Sequence, residues 1–285
     1  MKAIDVSLIV PTYNRKELLR KTLNSVLNQE FNEIAIEIII VDDGSSDGTK
    51  ELVEEFLKLG LDLKYIYQED QGFRVSLARN KGILSSKGAI CILIDSGVIL
   101  SKNFIQEHFN LHSHSTSNIV VIGYVLNFDN ENKFEREFIE QFEMLGIEGF
   151  INKNMYNPIF QDIREVLYKK YEYKLELLPA SWVFFWTCNV SMKREILIEA
   201  GMFDTNYDQN WGMEDIDLGY RLSMNGYKFY LNKKALCIHY PHFKDKANNF
   251  KEQAVNKLYF QKKFESDEVR LFMDVTWELN DYIKN

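Results

Sequence analysis

Within its first 125 residues the chain alternates short β-branched runs, at 6–10, 36–41, 64–67 and 89–94, with stretches of helical spacing at 16–27 and 49–59. That alternation predicts an α/β fold built on a single doubly wound, mainly parallel sheet with helices on both faces. Leu19, Leu23, Val26 and Leu27 share one face of the first helix. Leu52, Val53, Phe56 and Leu57 share one face of the second, which Gly60 ends. Ligands of such sheets lie beyond the carboxyl ends of the strands. The informative residues are therefore those that follow a strand: Pro11-Thr12-Tyr13-Asn14-Arg15, Asp42-Asp43-Gly44-Ser45 and Asp95-Ser96-Gly97.

Residues 127–178 are aromatic, charged and helix-patterned, with no Gly/Pro linker. They read as a helical insertion covering the site, inside one domain that continues to 243, and 244–285 reads as a charged helical tail. With 34 Lys and Arg against 42 Asp and Glu, the net charge of −8 offers nucleic acid no counterion-releasing face. Cys91, Cys188 and Cys237 are odd in number and set among apolar residues, as expected of reduced core thiols in a cytoplasmic protein. No signal peptide opens the chain, and no apolar run approaches the roughly 20 residues that span a bilayer. Peripheral contact with a membrane surface stays open.

Each polar cluster has a structural reading. Asp42, Asp43 and Ser45 can build a turn and cap the helix that starts near Thr49. Arg74 and Arg79 can lie on a solvated helix face, paired with surface acids. If a helix begins near Glu214, then Glu214 and Asp215 fill its first turn, where the dipole favours negative charge, and Asp217 pairs with Arg221 four residues on. Those acids can serve as caps alone, or a carboxylate ionised at pH 7 can accept a hydroxyl proton. His239 and His242 follow a strand pattern and are either structural or metal-ligating. His112 and His114 have no assigned role.

Taken together, residues 7–15 and 38–49 resemble the nucleotide-sugar-binding half of glycosyltransferase family 2 enzymes, which have the GT-A fold, in both order and spacing. Residues 70–83 look like the matching segment of chondroitin-polymerase-like members. Residues 211–222 resemble the acceptor-side motif of the family and of β-galactosyltransferase-like C-terminal domains. The resemblance implies a donor half over 1–125 and an acceptor half over 126–243. It assigns a nucleotide-sugar donor, UDP-linked, to Pro11, Thr12, Tyr13, Arg15, Asp42, Asp43, Arg74, Arg79, Asp95, Ser96 and Gly97. Asp43 would accept from a uracil imide, Tyr13 would wall the base, and the two arginines of 70–83 would meet the diphosphate. Trp211, Gly212 and Glu214 would hold a glycan or other hydroxyl-bearing acceptor, and Asp215 would be the base of an inverting transfer. Asp95 and His239 would hold Mn2+ or Mg2+.

The family usually reads Asp-x-Asp where this chain reads Asp95-Ser96-Gly97, and Gly97 has no side chain to coordinate an ion. Four consequences are open. Asp95 and His239 suffice with diphosphate and water; the ion arrives only with the donor; Arg74 and Arg79 take over the cation's role; or catalysis is lost. The last would leave a nucleotide- or glycan-binding subunit. A sugar nucleotidyltransferase is disfavoured, because it wants a glycine-rich phosphate loop and residues 11–15 contain no glycine.

Overall fold

The computed structural model describes residues 3–128, 134–243 and 245–283. Residues 129–133 of the expected insertion, and Lys244, where the expected tail begins, lie outside the described residues. The alternating pattern folds as β1 (Val6–Thr12), α1 (Lys16–Leu27), β2 (Ile36–Asp42), α2 (Thr49–Lys58), β3 (Leu63–Tyr67), α3 (Val75–Ser85) and β4 (Ile90–Ile94). β1 pairs in parallel with β2 and β4, and β2 with β3. Every residue of β1 and β4 is buried, as expected of strands covered on both faces. Leu19, Leu23 and Val26 face the core, whereas Leu27 and Leu57, at the edges of their apolar stripes, stay exposed.

The chain continues through β5 (Val98–Leu100), α4 (Phe104–His114), β6 (Ile119–Leu126), α5 (Glu135–Asn154) and α6 (Glu165–Lys170). Then come β7 (Asn189–Lys193), α7 (Arg194–Glu199), α8 (Glu214–Met224), β8 (Lys228–His239), α9 (Lys246–Lys263) and α10 (Asp267–Val275). All eight strands form one sheet in the order β3-β2-β1-β4-β7-β6-β8-β5. β7 runs antiparallel to both β4 and β6, and so welds the first half of the chain to the second. β8 is parallel to β6 and antiparallel to β5. Six strands thus share one direction and β7 and β5 oppose them. On β7, Ser191 and Asn189 hydrogen-bond the buried His108, and Ser191 also meets His112. Burial lowers these imidazoles to about 3 and about 4, so both are neutral struts between α4 and the sheet.

Two contacts fix where the functional residues sit. A Cβ on Gly82 of α3 would stand 2.5 Å from Ile9 Cγ2 and 3.3 Å from Val41 Cγ2, so only glycine lets α3 lie this close to β1 and β2. At the other end, Lys263 of α9 donates to Asp204 and to the buried Asp217 of α8, both at 2.6 Å. Arg221 Nε also reaches Asp217 at 2.7 Å, the internal pair its spacing predicts. Because α3 carries Arg79 and starts directly after Arg74, its depth should be a stability determinant. Gly82→Val is expected to cost about 1–3 kcal/mol by overpacking, read as a lower urea midpoint at unchanged slope; an unchanged midpoint would show that α3 shifts freely.

Candidate active site

The loops after β1, β2 and β3 converge on one carboxylate. Asp42 is fully buried: it accepts from the backbone N–H of Gly44 (3.1 Å) and Ser45 (2.7 Å) and from the Tyr65 hydroxyl (2.6 Å). It therefore builds the turn from beneath. Asp43 points the other way. It accepts from Gln68 Nε2 (2.6 Å), from the Arg74 backbone N–H (2.8 Å) and from Arg74 Nη2 (2.9 Å). Arg74 is thus paired with Asp43. Around this carboxylate, Thr12 Oγ1, Gln68 Oε1 and Arg74 Nε are buried and have no hydrogen-bond partner among the described residues. Folded chains pair nearly all such atoms, so three orphans around one acid mark a place for a polar ligand. Pro11 is buried within β1, paired with Val41, and the exposed Tyr13 ring stands at the rim with its hydroxyl donating to Asp70 Oδ2 at 2.9 Å.

A second arginine ties this pocket to the other half of the chain. Arg79 is buried on α3, with Nη2 3.0 Å from Asp95 Oδ1 and Nη1 2.9 Å from Glu214 Oε1. Burial disfavours its charge, but Asp95 and Glu214 outweigh that and hold its proton more tightly than in free arginine. Both ends of this guanidinium are occupied by carboxylates. Arg15, in contrast, is exposed and close enough to Asp95 to feel its charge, and its guanidinium makes no hydrogen bond or ion pair among the described residues. Beside Glu214 in the first turn of α8 stands Asp215. Burial and then the Glu214 charge push it up to about 7, against the pull of Arg79. Desolvation and a like charge thus outweigh the helix dipole, which favours the ionised form. A carboxylate half-protonated at neutrality is well matched to taking up a proton.

Residues 95–98 form a tight turn, closed by the Val98 N–H donating to Asp95 O at 3.2 Å. Ser96 is buried there, and Gly97 has φ +97°, the left-handed region that side chains rarely adopt. Its N–H donates to Thr22 Oγ1 (2.9 Å) and its carbonyl accepts from Tyr240 N–H (3.0 Å). A carboxylate side chain at this position would have to adopt that strained backbone. Val98 pairs with His239 across β5 and β8, which brings that imidazole to the same turn, with its ring 5.0 Å from that of His242. Among the described residues no three His, Cys, Asp or Glu side chains gather as a metal site. The half-exposed Asp95 and the buried His239 fit a smaller protein share, one or two ligands, of an ion held chiefly by substrate oxygens and water.

The loop at Trp211 and Gly212 is held from behind by α9. Trp211 is exposed; its N–H donates to Glu252 Oε2 at 2.9 Å, and Gly212 O accepts from Asn256 Nδ2 at 2.7 Å. Asn256, itself buried, also donates to Tyr207 O and Asn210 O. Asp208 accepts from the Ser76 and Leu77 N–H groups at the start of α3, and Asn80 exchanges two hydrogen bonds with the Phe203 backbone. Sequence reading missed Gln68, although the rule that residues after a strand matter points to it, since β3 ends at Tyr67. It also missed Glu252 and Asn256, for which no local signal exists.

Comparison with known proteins agrees with this architecture. The family model described as Glycosyl transferase family 2 matches residues 7–201. A validoxylamine A glucosyltransferase from Streptomyces hygroscopicus subsp. limoneus is 31% identical over 273 residues, 95% of this chain and 59% of that protein. Among solved structures, the mannosyltransferase PcManGT from Pyrobaculum calidifontis in complex with GDP-Man and Mn2+ has a TM-score of 0.59 at 18% identity, covering 92% of this chain and 64% of that one. Staphylococcus aureus TarS 1-349 in complex with UDP-GlcNAc has a TM-score of 0.57 at 16% identity, covering 90% and 66%. The structural likeness shows the expected GT-A fold. The chain spans about three-fifths of the glucosyltransferase's length.

Replacing Arg79 should expose what it holds together. Arg79→Met leaves Glu214 buried without its cation, with an expected loss of about 3 kcal/mol at pH 8. Asp215 already has a raised folded-state value, so stability falls as pH rises toward about 7, and losing Arg79 steepens that fall. Urea unfolding should therefore show a smaller loss at pH 5 than at pH 8. An equal loss at both would contradict the charge argument.

Proposed function

The chain belongs to glycosyl transferase family 2, and from that premise we propose that it transfers a sugar, with inversion, from a UDP-linked donor to the hydroxyl of a glycan or other acceptor. The observation that carries the proposal is the line of unsatisfied and mutually charged groups from Thr12, Gln68 and Arg74 around Asp43, through Arg79, to Asp215. In this reading the base of the nucleotide fills the first pocket. Its imide N–H donates to Asp43 or Gln68 Oε1, the Thr12 hydroxyl and Arg74 Nε supply further polar contacts, and the Tyr13 ring covers the face.

The diphosphate then lies beside Asp95, where the Arg15 guanidinium has no ion pair among the described residues. Asp95 and His239 would hold Mn2+ or Mg2+, and such an ion, when bound, neutralises charge on the departing diphosphate. Trp211 offers its exposed ring to the acceptor sugar. Asp215 takes the acceptor hydroxyl proton as that oxygen bonds to the anomeric carbon and the bond to the diphosphate oxygen breaks. Nucleoside diphosphate leaves on the opposite face, and the proton stays on Asp215 until solvent removes it. Arg79 acts by placing Glu214 and Asp95, and so sets the spacing between acceptor base and donor.

The experiment is release of UDP from a panel of UDP-sugars with Mn2+ and candidate acceptors. Asp215→Asn is expected to lose about 10²–10⁴-fold in kcat with UDP affinity retained. No release from any donor, with Asp215→Asn binding UDP like the parent, would favour the binding-subunit reading that Gly97 prompts. Because the base acts unprotonated, kcat should fall as pH drops through about 7 and level off above it. A flat profile from pH 5 to 9 would remove Asp215 from this role. Arg15→Ala should raise the donor KM about tenfold, the worth of one charge-assisted contact, with a smaller change in kcat; an unchanged KM would place the diphosphate elsewhere.

A further inference from the structure

The outward face of α9 is unlike the rest of this acidic chain. Phe250, Ala254 and Leu258 recur at i, i+4 and i+8, and Phe250 and Leu258 are 71% and 68% exposed. At helical spacing, Lys251 and Lys262 lie along one side of that line and Lys246 and Lys257 along the other. The helix carries one acid, Glu252, and it faces inward to the Trp211 N–H. Just before the helix, Phe243 is 87% exposed. A chain with net charge −8 has therefore gathered lysines around an apolar line at one place, with no acid between them.

We propose that this face of α9 docks on an anionic lipid surface. Exposed apolar lines call for an occupant, and the charge pattern selects which one. The cores of protein interfaces are depleted in lysine. A line of Phe and Leu bracketed by lysines is instead the pattern of a helix lying in the plane of a bilayer interface, with the rings and branched chains among the acyl ends and the ammonium groups at the phosphates. No described helix is long and apolar enough to cross the membrane, so the contact is peripheral. The inward face of the same helix holds the Trp211–Gly212 loop through Glu252 and Asn256. Docking therefore brings the acceptor end of the site to the lipid surface, a consequence that rests on the transferase reading and implies an acceptor presented at that surface.

The test is co-sedimentation of the full chain with vesicles of phosphatidylcholine and phosphatidylglycerol, against phosphatidylcholine alone. The protein is expected to pellet with the anionic vesicles only, and less as salt rises. Phe250→Glu with Leu258→Glu, and separately Lys251→Glu with Lys262→Glu, should each lower binding about tenfold or more. Both substituted faces are solvent-exposed, so thermal unfolding and UDP release without vesicles should match the parent. Absence of binding, equal binding to neutral vesicles, or a dimer in sedimentation velocity that these substitutions dissociate would each overturn the proposal. Vesicle binding is read without turnover, so its failure leaves the transferase reading standing, and loss of turnover leaves the docking result standing.

Discussion

The buried guanidinium of Arg79 is the interaction on which the site depends. It stands between Asp95, at the end of β4, and Glu214, at the start of α8, groups that are distant in sequence and belong to opposite ends of the site. A buried cation of this kind is tolerable only where carboxylates surround it, and those carboxylates are tolerable only because it is there. The close seating of α3 against β1 and β2 at Gly82 fixes where that cation can be. The Asn80 and Asp208 contacts with residues 203–208 then bring the second half of the chain to it. The two ends of the site are therefore one electrostatic unit.

The charge on Asp215 follows from that unit. Burial and Glu214 lift it, Arg79 restrains the lift, and the outcome is a carboxylate that changes state near neutrality. A helix N-terminus alone would have favoured the ionised form. The same economy explains the turn at Asp95. Gly97 is there because the backbone enters the left-handed region to start β5, and β5 in turn carries the pairing that brings His239 across. The geometry that removes one acidic side chain supplies the imidazole.

Much of this was readable in the sequence, and the limits are physical. The span of α1 and the apolar faces of α1 and α2 follow from local periodicity. Asp43, Asp95 and Asp215 stand out because each follows a strand or opens a helix. The direction of β7 was not readable, since an antiparallel strand inserted between β4 and β6 depends on pairings across more than ninety residues, such as Ile94 with Asn189. Nor were the true partners of Arg74 and Arg79, because an arginine in a helical segment looks the same whether it faces a phosphate or a carboxylate. Asp42 and Asp43 are adjacent and chemically alike, yet one is consumed by a turn and the other faces the pocket; only the backbone direction separates them. The lysine pattern of α9 was visible in the sequence as charge, but its meaning required knowing which face Asn256 and Phe260 bury.

The most direct test of the account is a crystal structure of the full chain with UDP and Mn2+. The account predicts the uracil against Asp43 and Gln68, new partners for Thr12 Oγ1 and Arg74 Nε, the diphosphate beside Arg15, and Arg79 still bonded to both Asp95 and Glu214. A nucleotide bound elsewhere, or an Arg79 that leaves Glu214 to grip the diphosphate, would contradict it.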